Sequence, residues 1–185
     1  MIRPKYTKEQ LANYYRKQHY YNNVIRKDAI AERDIVYGTH ALNAQMPKFL
    51  QRKTDDWDIF TSNAQREAKE LEDKLDAAYG GDYFYTKQAQ HPGTYKVESY
   101  ITGKEVADYT KKPARTPYIT KKNIQYVPLS WIETSAKRVL KDEASQYRWE
   151  LERDTLNRIK AKNKTRWLYA RIRIRRWLRL RKIKN

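Results

Sequence analysis

The stretch Ile35 to Asn63, IVYGTHALNAQMPKFLQRKTDDWDIFTSN, constrains the fold more than any other part of the chain. Three apolar residues end at Gly38, the run THALNAQM reads as a helix, Pro47 stops it, and an apolar run resumes at WDIF. Glycine at the end of a strand permits a bend, and proline cannot continue a helix. Strand, bend, helix and strand in that order make a mixed α and β unit. Two carboxylates, Asp56 and Asp58, lie two residues apart in the second strand. In extended chain, residues i and i+2 share a face. Both acids therefore point one way, and Trp57 and Ile59 point the other way, into the core. Two like charges on one face raise each other's pKa and call for a positive partner. A divalent cation supplies one: Mg²⁺ prefers carboxylate oxygen and commonly sits between carboxylates and substrate phosphates.

The rest of the chain supports the same class. Thr7 with Gln10 fits a capping box, and a helix is expected through KEQLANYYRKQHYYNNVIRKD, with a second short one to Arg33. Ser62 with Gln65 fits another box, opening an amphipathic helix with Ala64, Ala68, Leu71, Leu75 and Ala78 on one face and Gly80-Gly81 at its end. DYFYTKQ reads as a strand, and TYKVESYI with KEVADYT as a hairpin around Thr102-Gly103. A Pro-rich loop, KKPARTPY, precedes a short edge strand, IQYVP. SWIETSAKRVLKD and SQYRWELERDTLNRIKAK read as helices. The expected fold is α+β, a small mixed sheet with flanking helices and a C-terminal basic helix. Its expected parts are an N-terminal helical segment (1–33), an α/β core (34–127), a helical extension (128–163) and a cationic amphipathic tail (164–185).

A metal-binding pair of acids calls for a third carboxylate from a neighbouring strand. KEVADYT offers Asp108, with Glu105 and Glu98 as alternates. At the other end of the unit, Gly38 would let backbone approach a phosphate, the start of the following helix presents free N–H groups, and Thr39 adds a hydroxyl. The pattern of apolar-Gly-Thr, helix and Arg52-x-Thr54-x-Asp56-Trp57-Asp58-Ile59 resembles the nucleotidyltransferase fold of the DNA polymerase beta superfamily. The closer likeness is to its minimal, toxin-type and antibiotic-modifying-type members, and it covers Ile35 to about Asp108. Thr39 stands where that family usually carries Gly or Ser. The resemblance implies that Asp56, Asp58 and Asp108 hold Mg²⁺ (or Mn²⁺). It implies that Gly38 and Thr39 form a phosphate loop and that Arg52 and Thr54 contribute to nucleotide binding. The implied chemistry is attack of an acceptor hydroxyl on the α-phosphorus of an NTP.

Charge names a second partner. The chain carries 40 Lys+Arg against 22 Asp+Glu, a formal net charge of +18, and twelve of those basic residues lie between Lys160 and Asn185 with no acid among them. Such a surplus points to a polyanion, RNA or DNA first and an acidic membrane surface second. The expected contacts are Arg166, Arg171, Arg173, Arg175, Arg176, Arg179, Arg181 and Lys182. About 6 phosphate contacts would give a log–log salt slope of about −5. Trp167, Ala170, Ile174, Trp177 and Leu178 share one helical face, while Leu168, Ala170, Ile172, Ile174, Leu178 and Leu180 also alternate as in a strand. The absence of Gly and Pro favours the helix, whose apolar stripe would bury against the domain, a protein partner or a membrane interface. Tyr14, Tyr15, Tyr20 and Tyr21 beside Arg16 and Lys17 could stack bases, but such a cluster more often packs a helix onto a sheet.

The absence of cysteine excludes disulfides and Cys-ligated zinc, and the three histidines, His19, His40 and His91, are scattered. No apolar run approaches the ~20 residues that span a bilayer. The N-terminus lacks the apolar core of a secretory signal. The expected location is intracellular, cytoplasmic or nuclear, or inside a virion. Two functions compete: metal-dependent transfer of a nucleotide from an NTP to an acceptor, and a non-catalytic nucleic-acid-binding structural protein of a virion or nucleoprotein particle built on the same fold.

Overall fold

A computed structural model describes residues 4–17 and 20–165. The expected nucleic-acid contacts of the tail, Arg166 to Lys182, and its apolar stripe lie outside the described residues, as does His19. The chain divides into two compact units, residues 1–44 with 52–128 and residues 45–51 with 129–185.

The first unit is a seven-stranded mixed sheet with helices, the α+β class expected. Its strands are β1 (Ile35–Tyr37), β2 (Trp57–Thr61), β3 (Phe84–Gln88), β4 (Thr94–Ser99), β5 (Glu105–Lys111), β6 (Ile119–Lys121) and β7 (Ile124–Tyr126), in the order β3-β4-β5-β2-β1-β7-β6. β1 runs antiparallel to β2, β2 parallel to β5, and β4–β5 is the expected hairpin. IQYVP is not an edge strand: β7 pairs with both β1 and β6. The outer strand β6 directly follows the stretch read as a Pro-rich loop, in residues for which the sequence predicts no element. Its turn to β7 uses Lys122 and Asn123, both with positive φ (48° and 66°). That is the mirror-image two-residue turn whose twist suits a hairpin.

Helices α1 (Lys8–Arg16) and α2 (Tyr20–Ala31) stand where a long helix to Asp28 and a second short one to Arg33 are expected. The Thr7–Gln10 capping box is present in full, and α1 ends at Lys17, whose N–H bonds back to Asn13, Tyr14 and Tyr15 carbonyls. Tyr14 and Tyr21 are buried, Tyr15 and Tyr20 exposed. Tyr14 packs its ring against Tyr79, Tyr83 and Phe84 and hydrogen bonds Ser99 Oγ at 2.7 Å. Half of the tyrosine cluster is thus spent on packing.

Helix α3 (Gly38–Ala44) follows β1 directly, and helix α4 (Ala64–Tyr79) follows β2. Ala64, Ala68, Leu71, Leu75 and Tyr79 form its buried stripe. Gly80 ends it at φ 78°, a left-handed cap. Its N-cap is Asn63, not Ser62: Asn63 Oδ1 accepts from Arg66 N at 3.2 Å. Asn63→Ala is therefore expected to cost about 0.5–2 kcal/mol in urea unfolding, and Ser62→Ala nearly nothing; equal losses would refute the assignment.

Asp34, just before β1, and Glu67, on α4, are both buried, and Asp34 Oδ2 and Glu67 Oε2 have no hydrogen-bond partner. Burial, and then the Glu67 carboxyl, hold the Asp34 carboxyl well above the usual carboxylate range. The folded chain keeps that proton at pH values where the unfolded chain has released it. Stability from this group is full at low pH and declines as pH rises through neutrality. Asp34→Asn is expected to flatten the decline and to raise the melting temperature at about pH 8 more than at about pH 5.5; a steeper decline in the variant would show that the fold does not hold a proton on Asp34.

The second unit contains a short turn at Lys48–Leu50, helix α5 (Leu129–Val139), a kinked 3₁₀ segment at Glu143–Arg148 and a helix, α6, over 149–165. Arg158 on α6 donates to the Leu50 carbonyl at 2.8 Å and to Asp154 at 2.6 Å. Gln45 Oε1 accepts from Leu129 N at 3.2 Å. Ile132, Ala136 and Ile159 are buried. Among the described residues no helix is long and apolar enough to cross a membrane.

Candidate active site

Register decides which side chains meet. Across four adjacent strand pairs, Tyr37 of β1 lies opposite Asp58 of β2, Asp58 opposite Asp108 of β5, Asp108 opposite Lys96 of β4, and Lys96 opposite Lys87 of β3. Directly opposed residues share a face. Two acids and two lysines therefore form one row across the sheet, and the neighbouring residues Trp57, Ile59, Ala107 and Tyr109 are buried on the other face.

Gly38 closes this row from the side of β1. Its φ is +60°, and a Cβ placed there would lie 1.8 Å from Asp58 Oδ2 and 2.6 Å from its Cγ. Only a residue without a side chain lets the backbone bend come so close to the carboxylate. The next residue, Thr39, is held by Arg52: the guanidinium donates to Thr39 Oγ1 from Nε at 3.2 Å and from Nη2 at 2.7 Å. Asn43 anchors Arg52 on α3, its Oδ1 accepting from Arg52 N at 3.0 Å and its Nδ2 donating to Arg52 O at 2.7 Å.

Asp56 and Thr54 form a separate contact. β2 begins at Trp57, so Asp56 precedes it, and Asp56 Oδ1 accepts the Thr54 hydroxyl at 2.9 Å. Behind Asp56, the half-buried His40 ring stacks on Trp57 with centroids 3.9 Å apart. Burial pushes the His40 imidazole down to about 4 against the opposing pull of Asp56, so it is neutral at neutral pH.

Asp108 is the most constrained acid of the row. Its Oδ1 is buried with no hydrogen-bond partner, while its Oδ2 is 3.7 Å from Lys96 Nζ. Burial first, then Glu105 and Asp58, push its carboxyl well above the usual range, and Lys96 opposes the shift. The two alternates named from the sequence are already engaged. Glu98 pairs with Lys87 at 2.6 Å and accepts the Tyr85 hydroxyl at 2.5 Å, and Glu105 pairs with Lys96. Burial alone would lower the Lys96 ammonium, but its bond to Glu105 and the charge of Asp108 hold it above its ordinary value. Lys96 and Lys87 are functional candidates that the sequence did not disclose, because only the strand register brings them to the acids.

Among the described residues no group of three or more His, Asp or Glu side chains converges as a metal cage. Asp58 and Asp108 nonetheless fit a Mg²⁺ that keeps waters and takes phosphate ligands, as that ion prefers. They oppose each other directly, and Asp108 Oδ1 is buried and unpartnered.

No protein-family model matches this chain, and no curated protein matches it. Among solved structures, the Megavirus polyadenylate synthase superposes with a TM-score of 0.68 at 21% identity, over 83% of this chain and 34% of that one. JHP933 from Helicobacter pylori gives a TM-score of 0.41 at 9% identity, over 77% of this chain and 61% of that one. The chain thus spans about a third of the synthase's length. The likeness to the synthase shows that the fold is nucleotidyltransferase-like, in agreement with the resemblance carried by Ile35 to Asp108.

Proposed function

We propose that the chain transfers a nucleotide from an NTP to an acceptor hydroxyl with the help of a divalent cation, and that it works on or beside RNA or DNA. The observation that carries this reading is the direct opposition of Asp58 and Asp108 beside Gly38, with one Asp108 oxygen buried and unpartnered. The nucleotidyltransferase-like fold supports it, and the cationic sequence after Lys160 supports the nucleic acid. In the reaction, a bond forms between the acceptor oxygen and the α-phosphorus. The bond from the α-phosphorus to the bridging oxygen breaks, pyrophosphate leaves, and the acceptor proton passes to water.

Each residue has a distinct task in this reading. Asp58 and Asp108 would hold the cation, and Asp56, whose Oδ1 accepts the Thr54 hydroxyl, would be the third candidate ligand. Mg²⁺ or Mn²⁺, when bound, neutralises charge developing on the phosphates. Gly38 lets the triphosphate approach the backbone. Arg52 presents its guanidinium beside Thr39, where a planar two-pronged donor suits phosphate oxygen.

A second reading is a non-catalytic nucleic-acid-binding protein on this fold. The bond between Asp56 and Thr54, and the lack of a three-acid cage among the described residues, favour it. Incubation with each labelled NTP, Mg²⁺ and mixed RNA separates the two. Labelled product that disappears in Asp58→Ala supports transfer. No product with any NTP, alongside salt-sensitive RNA binding, supports the scaffold.

A further inference from the structure

Lys96 has no task in the transfer described above, yet it sits against the acid that matters most to it. β5 carries an irregularity that explains how. Val97 of β4 pairs with Ala107, and the next residue, Glu98, pairs with Glu105, so Val106 is an extra residue in β5. A bulge of this kind re-aims the side chains beyond it. Strict alternation would put Glu105 and Asp108, three residues apart, on opposite faces; the extra residue brings them to one. Two carboxyls then converge on a single point, and the Lys96 ammonium occupies that point, paired with Glu105 and 3.7 Å from Asp108 Oδ2.

The geometry divides Asp108 into two sides. Oδ2 faces an ammonium that is part of the chain, and Oδ1 is buried and free of any hydrogen bond. A metal ion entering on the Oδ2 side would have to evict Lys96 from both acids. The side chain of Lys96 is only 29% exposed, so eviction would strand a desolvated charge.

We propose that the Lys96 ammonium fills the place where Glu105 and Asp108 would otherwise bind a second divalent cation, so that the free protein binds one, through Asp58 and the Oδ1 side of Asp108. This rests on the transfer reading, which assigns Asp58 and Asp108 to a cation. It makes the chain a nucleotidyltransferase-like protein with one exchangeable cation and one tethered cation at its acids. A further metal ion would have to arrive already bound to the triphosphate.

Counting Mn²⁺ on the full chain without nucleotide tests it, with free Mn²⁺ followed by electron paramagnetic resonance. The wild type is expected to bind one tight Mn²⁺ and Lys96→Gln two, because the Glu105–Asp108 point is vacated. Lys96→Arg keeps a cation there and is expected to remain at one. Lys96→Met preserves the apolar stem and serves the same count if the glutamine variant does not fold. A wild-type count of two overturns the proposal without any variant. A count that stays at one in Lys96→Gln or Lys96→Met also overturns it and leaves nucleotide transfer standing. A wild-type count of zero overturns it together with the assignment of Asp58 and Asp108 to a cation.

Discussion

Asp58→Asn is expected to lower nucleotide transfer by about 10²–10³-fold or more, the usual cost of removing one group that stabilises developing charge. The substitution keeps the shape of the side chain that packs against Gly38 and removes only its charge. Melting should stay close to that of the wild type, because the side chain keeps its size and shape. Labelled-nucleotide incorporation measured beside a thermal melt separates chemistry from folding. Transfer within about threefold of wild type, in a variant that melts normally, would end the assignment of this acid to the reacting centre.

Gly38→Ala is expected to be costly in two ways at once. The left-handed φ of +60° strains any residue with a Cβ, at about 1–3 kcal/mol. The new methyl would also fall 1.8 Å from Asp58 Oδ2, and the short carboxylate must swing away to admit it. A swing relieves the clash and breaks the opposition with Asp108. Transfer should therefore fall nearly as far as in Asp58→Asn, with a lower melting temperature as well. The double variant Gly38→Ala/Asp58→Asn should lose little further transfer, since both changes remove the same carboxylate from its place. Fully additive losses would show that Gly38 acts through something other than Asp58.

Much of the fold can be read from the chain because its signals are local. Gly38 after an apolar triplet, Pro47 after a helical run, and the alternation of WDIFT each act within a few residues. They give β1, α3 and β2 without knowledge of the rest. Short-range competition hides other features. Ser62 and Asn63 are both good caps, and the choice between them rests on which side chain reaches the Arg66 N–H. β6 has three residues with Thr and Lys among them, too few for a period; only Asn123 in a two-residue turn marks the hairpin. For the site, the sequence names Asp58 and Asp108 as acids on strands. It says nothing of Lys96, and it leaves Glu105 and Glu98 as alternates to Asp108. What distinguishes them is the pairing of β3, β4 and β5 and one extra residue at Val106, which are long-range facts.

The outer strands of the sheet bear on how copies of this chain behave when crowded. β6 is three residues long and carries Lys121, and at the opposite border β3 carries Lys87. Brief or positively charged borders offer a neighbouring molecule little backbone to zip onto and repel an identical border. A wide, tyrosine-rich β-sheet is thereby discouraged from growing into fibrils by strand-to-strand addition.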